Sequence, residues 1–359
     1  MLKQEKLTKQ SKIFLASLIL VFFIVVGAGY FYYLKSVFEI NSLYGVVPEI
    51  KHKKCTTDRR LDGVCVPKDE DNLWPIAIMI DNAPEAWPQY GLSGAQLVYN
   101  VPAEGAHTRM MAIYATAEDV KRIGPVRSAR PYFVAWARGL DAVYGHSGGS
   151  PDAINKIKEY GVRNWEEATS YGPTYFWRNH SQPSPHNLYT STERMTKARQ
   201  EWEVSELTPT YRAWRFDPDA NATIETVHYI YLDYSPLKTF DVEYKYDSDS
   251  QTYLRYQATE QMMDSLNKQK IAATNVIVQF IPREVVLDSI GRLDLDVIGS
   301  GKAWIFYNGK RTIGTWSKIN VKSRTIFYDA NDQEMIFKPG NIWIEVVPAS
   351  RQVTTQTYN

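Results

Sequence analysis

Neither sign of charge prevails in this chain. Its 359 residues carry 41 Lys and Arg against 40 Asp and Glu, a net of +1. No global field gathers polyanions, which argues against nucleic acid as a partner. Cysteine is scarce, with Cys55 and Cys65 the two in the chain. A cysteine-rich scaffold is thereby excluded, and a zinc site built on those two thiols would find only His52 nearby. Repeats and low-complexity tracts are missing. So are the His-Glu-x-x-His helix of zinc hydrolases and the Gly-x-Ser-x-Gly elbow of α/β-hydrolases. Neither a metal nor another cofactor is expected.

Long apolar runs are equally rare, and the one present shapes the reading of everything after it. Ile13–Leu34 is uncharged over 22 residues, and a helix of about 20 apolar residues spans a bilayer. Lys3, Lys6, Lys9 and Lys12 precede it. That basic flank puts residues 1–12 in the cytoplasm, residues 13–34 in the membrane as a single pass, and the bulk of the chain outside. Gly27-Ala28-Gly29 offers the alternative of a cleaved signal peptide. The run continues through Tyr30–Leu34, which favours an uncleaved transmembrane helix. On either reading the body is exported. Cys55 and Cys65, ten positions apart outside the cell, are then expected to form a disulfide. A loop of that size is worth about 3 kcal/mol in the chain-entropy model.

Hydrophobic content of 44% with 13% aromatics is globular, and the length suits two folded units. Residues 35–72 read as a stalk holding the disulfide loop. Residues 73–216 read as a mixed α/β domain, 217–349 as a mainly β domain and 350–359 as a polar, loose tail. The fold class is α+β. In the first domain the patterns predict strands at 76–80, 96–101, 109–115 and 141–144. Helices are expected at 131–140, 151–160 and 191–202, the first two opening on proline at a first helical position. In the second domain, strand-like runs at 227–233, 239–246, 252–257, 275–282, 292–298, 302–307, 312–316, 325–327 and 342–347 surround one candidate helix at 259–268.

Chemistry concentrates in the first domain. Ile123–Pro131 holds Arg127, Ser128 and Arg130 beside a Gly-Pro turn, and His146-Ser-Gly-Gly-Ser-Pro151 follows one helix later. Paired guanidiniums suit phosphate or carboxylate. The Ser147, Gly148 and Gly149 amides before a helix N-terminus suit an anion or a carbonyl oxygen. Asp81 and Asn82 end the first strand. Glu104 and Arg109 flank the next turn, and Arg178, His186 and Asn187 sit in a later loop. Each has a plainer reading. The arginines can tie down loop carbonyls and the acids Asp81 and Glu104, and the histidines can be neutral hydrogen-bonding groups.

Several stretches together resemble the YerB-type putative lipoprotein family of bacteria, a group defined by N- and C-terminal domains of unknown function. They are Pro75–Asn82, Gly91–Ser93, Val98-Tyr99, Glu104-Gly105 with Thr108-Arg109, Ile123–Pro131, His146–Pro151, Phe176–Arg178 and Pro185–Thr190. Arg59–Gly63, Gly309 through Trp316 and Lys318, and Lys338–Trp343 extend the likeness. The resemblance implies a two-domain, exported envelope protein and supplies no activity. The chain departs from the family pattern in having no lipobox cysteine near residue 30, so a transmembrane anchor would replace a lipid. Ala106-His107 also stands where many members have Gly and a small or apolar residue.

The leading expectation is a membrane-anchored protein that binds an anionic or sugar-containing envelope ligand, with peptidoglycan or another wall polymer suited to the location. Asn82, Arg109, Arg127, Ser128, Arg130, Ser147, Gly148, Gly149, Arg178 and Asn187 would contact it. One alternative is an envelope hydrolase or transferase with His146 or His186 as base and Asp81 or Glu104 as acid or orienting group. Another is a scaffold for other envelope proteins.

Overall fold

A computed structural model describes residues 26–30, 35, 55–169, 172–204, 207–220 and 225–357. Residues 1–53 and 54–359 form separate units. In the first unit Val26–Tyr30 is helical. The span expected at 13–34 otherwise lies outside the described residues, and no helix among those described is long and apolar enough to cross a membrane.

The main unit runs through β1 (Ile76–Ile80), β2 (Leu97–Pro102), β3 (Thr108–Tyr114), α1 (Pro131–Gly139), β4 (Val143–His146), α2 (Pro151–Tyr160), β5 (Asn164–Glu166), α3 (Gly172–Tyr175) and α4 (Thr192–Glu201). It continues through β6 (Tyr229–Leu232), β7 (Val242–Asp247), β8 (Thr252–Gln257), β9 (Asn275–Ile281), β10 (Gly299–Tyr307), β11 (Lys310–Lys318), β12 (Ile342–Pro348) and β13 (Val353–Gln356). The result is α+β, mostly strands with few helices.

An 11-stranded sheet is the central layer, with β11, β10, β9, β12, β2, β3, β1, β4 and β5 in that spatial order. Strand β12 lies parallel between β9 and β2, pairing Ile344 with Ile277 and with Tyr99. Strands from both halves of the chain thus share one ladder. The central strands are buried on both faces, which is why they read as continuous apolar runs. Ala77 and Met79 of β1 face the cluster built on α1 and α2, whereas Ile76, Ile78 and Ile80 face the opposite one. On the first face Trp136 of α1 stacks on Tyr99 with ring centroids 4.7 Å apart, a geometry worth about 1 kcal/mol beyond burial. The second face is covered by α4 and by a six-stranded sheet containing β8, β7, β6 and β13. Fully buried Glu345 of β12 joins the two sheets. It accepts from Tyr244 and Tyr234 at 2.6 Å, Asn100 at 2.8 Å and Arg255 at 3.2 Å.

Helix boundaries follow local chemistry. Ser150 Oγ accepts from the Ala153 amide and Pro151 opens α2, which ends on Gly161 at φ 63°. Ser191 caps α4 in the same way.

Three expectations change. The segment 259–268 is not a helix: it holds a short strand, Glu260–Gln261, followed by turns. Asp264 explains this, since its carboxylate accepts from the Gly91 and Ser93 amides at 2.9 and 2.8 Å and from the Leu266 amide at 2.8 Å. Those tertiary bonds override local helix preference. The tail is not loose throughout, because β13 pairs with β6. Residues 55–72 pack onto the main unit instead of forming a free stalk: Leu61 is fully buried, Arg59 pairs with Asp62, and Gly340 donates to the Asp62 carbonyl. The Cys55–Cys65 disulfide is formed, across a two-stranded hairpin.

Candidate functional site

Strands β1, β4 and β5 run parallel. Their carboxyl ends lead into Asp81, into His146-Ser147 and into Glu166-Glu167, and such ends are where open sheets carry their sites. The loop 123–130 is laced across them. The Asp81 amide donates to Pro125, the Arg127 amide to Met79 and the Ser147 amide to Arg127, all at 2.9–3.1 Å. Gly124 at φ 142° permits this course, since a Cβ there would lie 2.8 Å from the Leu188 carbonyl oxygen.

One corner gathers Asp81, Arg127 and His186. Asp81 is buried; its Oδ1 accepts from the Ala83 amide at 3.0 Å and its Oδ2 from His186 Nδ1 at 2.8 Å. Arg127 Nε lies 3.2 Å from the same Oδ2. That ion pair is the one partner the described residues give the Arg127 guanidinium, whose side chain is 28% exposed. His186 is held by Nδ1, and no described residue engages Nε2.

Beside this corner stands a second group. Ser147 Oγ donates to Glu167 Oε2 at 3.2 Å, Arg178 Nε donates to Glu167 Oε1 at 3.0 Å, and Arg178 Nη1 donates to Asn187 Oδ1 at 2.8 Å. Asn187 donates in turn to the Gln182 carbonyl. Adjacent His186 and Asn187 join the two groups along the chain. Glu167 was not among the residues expected at the site. The signal available for it was its position just after the strand-like end of an aromatic segment.

Arg109 and Arg130 do not join this corner. Both are nearly buried and close on Glu104, with Arg109 Nη2 2.8 Å from Oε1 and Arg130 Nε 2.8 Å from Oε2. Their remaining donors reach the carbonyls of Ser128 at 3.0 Å and Ala129 at 2.6 Å. Burial pushes the Glu104 carboxyl up, but the two guanidiniums outweigh it and hold it at about 2. Ser128 contributes its carbonyl to this arrangement. Asn82 is fully buried and saturated, donating to Thr108 and Gln257 and accepting from Trp87 and Gln89. It fastens the end of β1 to β8.

His146 is fully buried. Its Nδ1 donates to the Gly148 carbonyl at 2.9 Å, and Asn164 approaches Nε2 at 3.4 Å. Burial pushes its pKa down to about 4, so the ring is neutral at pH 7. Gly148 stands at φ 62° and shapes the loop before α2, and Gly149 bridges to Ala129. Among the described residues no group of three or more His, Cys, Asp or Glu could hold a metal ion. The arrangement can present one guanidinium to an anion, or use an imidazole oriented by a carboxylate for proton transfer.

Comparison with known proteins follows the same outline. Residues 61–205 match the N-terminal domain described as "Protein of unknown function (DUF3048)", and residues 230–344 match the C-terminal domain of that family. The protein named "Putative lipoprotein YerB" from Bacillus subtilis (strain 168) is 30% identical over 275 residues, which is 76% of this chain and 81% of that protein. The crystal structure of Bacillus subtilis YerB superposes with a TM-score of 0.74 at 28% identity, covering 83% of this chain and all of the other. The chain belongs to the DUF3048 family of proteins of unknown function.

Proposed function

We propose that this is a membrane-anchored extracytoplasmic protein of the cell envelope, and that the Asp81–Arg127–His186 corner binds an anionic group on an envelope ligand. The location is supported by the lysine-flanked run at 13–34, by the disulfide, and by the word lipoprotein in the name of the Bacillus subtilis relative. Both cysteines of this chain are engaged in the disulfide, so neither is free to carry a lipid, and the apolar run takes the anchoring role. The observation that carries the ligand reading is the contrast among the arginines. Arg109 and Arg130 are closed on Glu104, and Arg178 on Glu167 and Asn187, whereas Arg127 meets Asp81 through Nε alone and keeps its terminal nitrogens without a partner among the described residues. A partly exposed guanidinium with uncommitted terminal nitrogens suits a phosphate or carboxylate.

The test is thermal shift of the full-length chain with inorganic phosphate and with a hexose 6-phosphate. A rise in melting temperature is expected, abolished by Arg127→Ala, reduced by His186→Ala and retained by Arg283→Ala, a remote exposed arginine. No rise, or an unchanged rise in Arg127→Ala, defeats the reading. The 2.8 Å contact between His186 and Asp81 favours a second reading, a hydrolase or transferase in which Asp81 orients His186 as general base. Turnover of peptidoglycan fragments that His186→Ala abolishes would decide for it.

A further inference from the structure

Every arginine of residues 61–205 except Arg122 and Arg127 has a terminal nitrogen bonded to a protein oxygen. These two stand at either end of one segment, 122–127, and the backbone between them is fixed from both sides. The Ile123 amide donates to Thr190 at 2.7 Å and the Thr190 amide donates back at 3.0 Å. Gly124 and Tyr90 exchange bonds at 3.1 and 2.9 Å, and the Val126 amide donates to Leu188 at 2.7 Å. Ile123 and Val126 are buried, so the two arginines are carried on a rigid support. Five residues of extended chain span at most about 18 Å, which bounds the distance between their Cα atoms.

Arg122 is held in place without committing its donors. Its guanidinium carbon lies 4.8 Å from the Tyr90 ring centroid and 5.0 Å from that of Tyr189, and the two rings meet edge to face at 5.5 Å. A ring face attracts the cation and leaves its N–H groups available. Every other cation over a ring among the described residues also meets an oxygen. Arg122 meets none among the described residues, and its nitrogens reach the surface. Arg127 is in the same state at its tip: Nε is buried against Asp81, and the terminal nitrogens reach the surface. The acids nearest Arg127 are already matched, Asp81 by His186 and the Ala83 amide, and Glu167 by Arg178 and Ser147.

Two pre-positioned guanidiniums on one support select a ligand that is charged more than once. An uncharged group complements neither. A single phosphate or carboxylate fills one guanidinium fork and leaves the other in water. A ligand with repeated anionic groups meets both, and its second contact forms at an effective concentration set by the chain between the charges. We propose that the segment 122–127 is a two-point track for a linear polyanion, an extracellular polymer bearing phosphate or carboxylate groups, with one group held by Arg127 and another by Arg122. This rests on the reading of Arg127 as the ligand-facing cation, and adds to it a second contact residue and the polymeric character of the ligand.

Isothermal titration of the full-length chain in an uncharged detergent tests this, with orthophosphate, long-chain polyphosphate and polygalacturonate as probes. Wild type is expected to bind at least one polymer about tenfold or more tighter per charge than orthophosphate, the scale of linking two weak contacts. Arg122→Ala should remove that advantage, and so should Arg127→Ala. Arg122→Lys keeps a charge over the rings and should restore most of it, which separates a lost contact from a folding defect. The slope of log affinity against log salt should become shallower by about 0.7 in Arg122→Ala, one contact fewer on a single-stranded polyanion. Polyphosphate bound alone identifies phosphate as the group recognised, polygalacturonate bound alone identifies carboxylate, and either supports the track. A wild type without polymer advantage, or an advantage that survives Arg122→Ala, overturns it; orthophosphate binding in the same wild type then leaves the Arg127 reading standing, and binding of neither defeats both. Tighter binding of oligo(dT) than of either polymer overturns it equally, because the rings would then be a platform for bases.

Discussion

Removing Glu104 should destabilise the fold far more than removing Arg127, although both lie among the same loops. Glu104 closes two guanidiniums whose side chains are 8% and 10% exposed, and its own is 20% exposed. In Glu104→Ala the two buried cations face each other without a counter-charge. Breaking a buried pair by deleting one partner costs about 3–5 kcal/mol, and the upper half applies here because two partners are orphaned. The folded unit is roughly 300 residues, and about 2.1 cal/mol/K per residue makes each kcal/mol about 1.6 °C in melting temperature. The expected fall is then about 6–8 °C for Glu104→Ala. Arg127→Ala loses one ion pair on a side chain 28% exposed, for which about 1 kcal/mol or less is the ordinary cost. Differential scanning calorimetry at pH 7 reads both. A fall of under about 2 °C in Glu104→Ala, or equal falls in the two variants, would show that the arginines are not divided into structural and open ones. The case for Arg127 as the ligand-facing cation would go with it.

Acid should unfold the protein partly through His146. Its folded pKa of about 4 lies below the ordinary value of 6.5, so the unfolded chain binds more protons between those values and stability falls as pH drops through that window. His146→Asn, which keeps a donor near the Gly148 carbonyl, should flatten the decline in urea midpoints measured from pH 7 to pH 4; an unchanged slope would refute this. Lys318 acts at the other end. Burial pushes its amine down to about 7, with Arg138 adding to the effect, and Nζ donates to the Val321 and Ser323 carbonyls. The unfolded lysine binds more protons from there to its ordinary 10.5, so stability should rise with pH across that window. The slope approaches about 1.4 kcal/mol per pH unit. Lys318→Met should remove that rise in urea midpoints between pH 7 and pH 9, and a rise that survives the substitution would refute the assignment.

Much of the architecture is legible in the chain because its cues are local. Proline at the first turn and Ser150 as a cap mark α2, and a five-residue apolar run marks β1 to the residue. What fails is whatever depends on distant partners. The segment 259–268 is composed like a helix, yet Asp264 is drawn across to the Gly91 and Ser93 amides. The tail is polar by composition, yet β6 offers it an edge. Residues 55–72 are charged, but Leu61 and the Arg59–Asp62 pair give them a buried face that a composition average hides.

The candidate site shows the same division more sharply. The residue types were legible, because arginines, a serine and histidines in glycine- and proline-bearing loops are poor choices for a core. Their pairing was not. Four arginines face Asp81, Glu104 and Glu167 in the fold, and one-dimensional spacing gives no reason to prefer one assignment. The register of β2 and β3 decides it: their turn presents Glu104 and Arg109 to the same side as the start of α1, where Arg130 sits. That makes Glu104 the counter-ion of the loop. Asp81, one strand away, is left to hold His186 with one guanidinium incompletely matched. A site of this kind is defined less by which charges are present than by which one the fold leaves without a full set of partners, and that is a property of the sheet before it is a property of any motif.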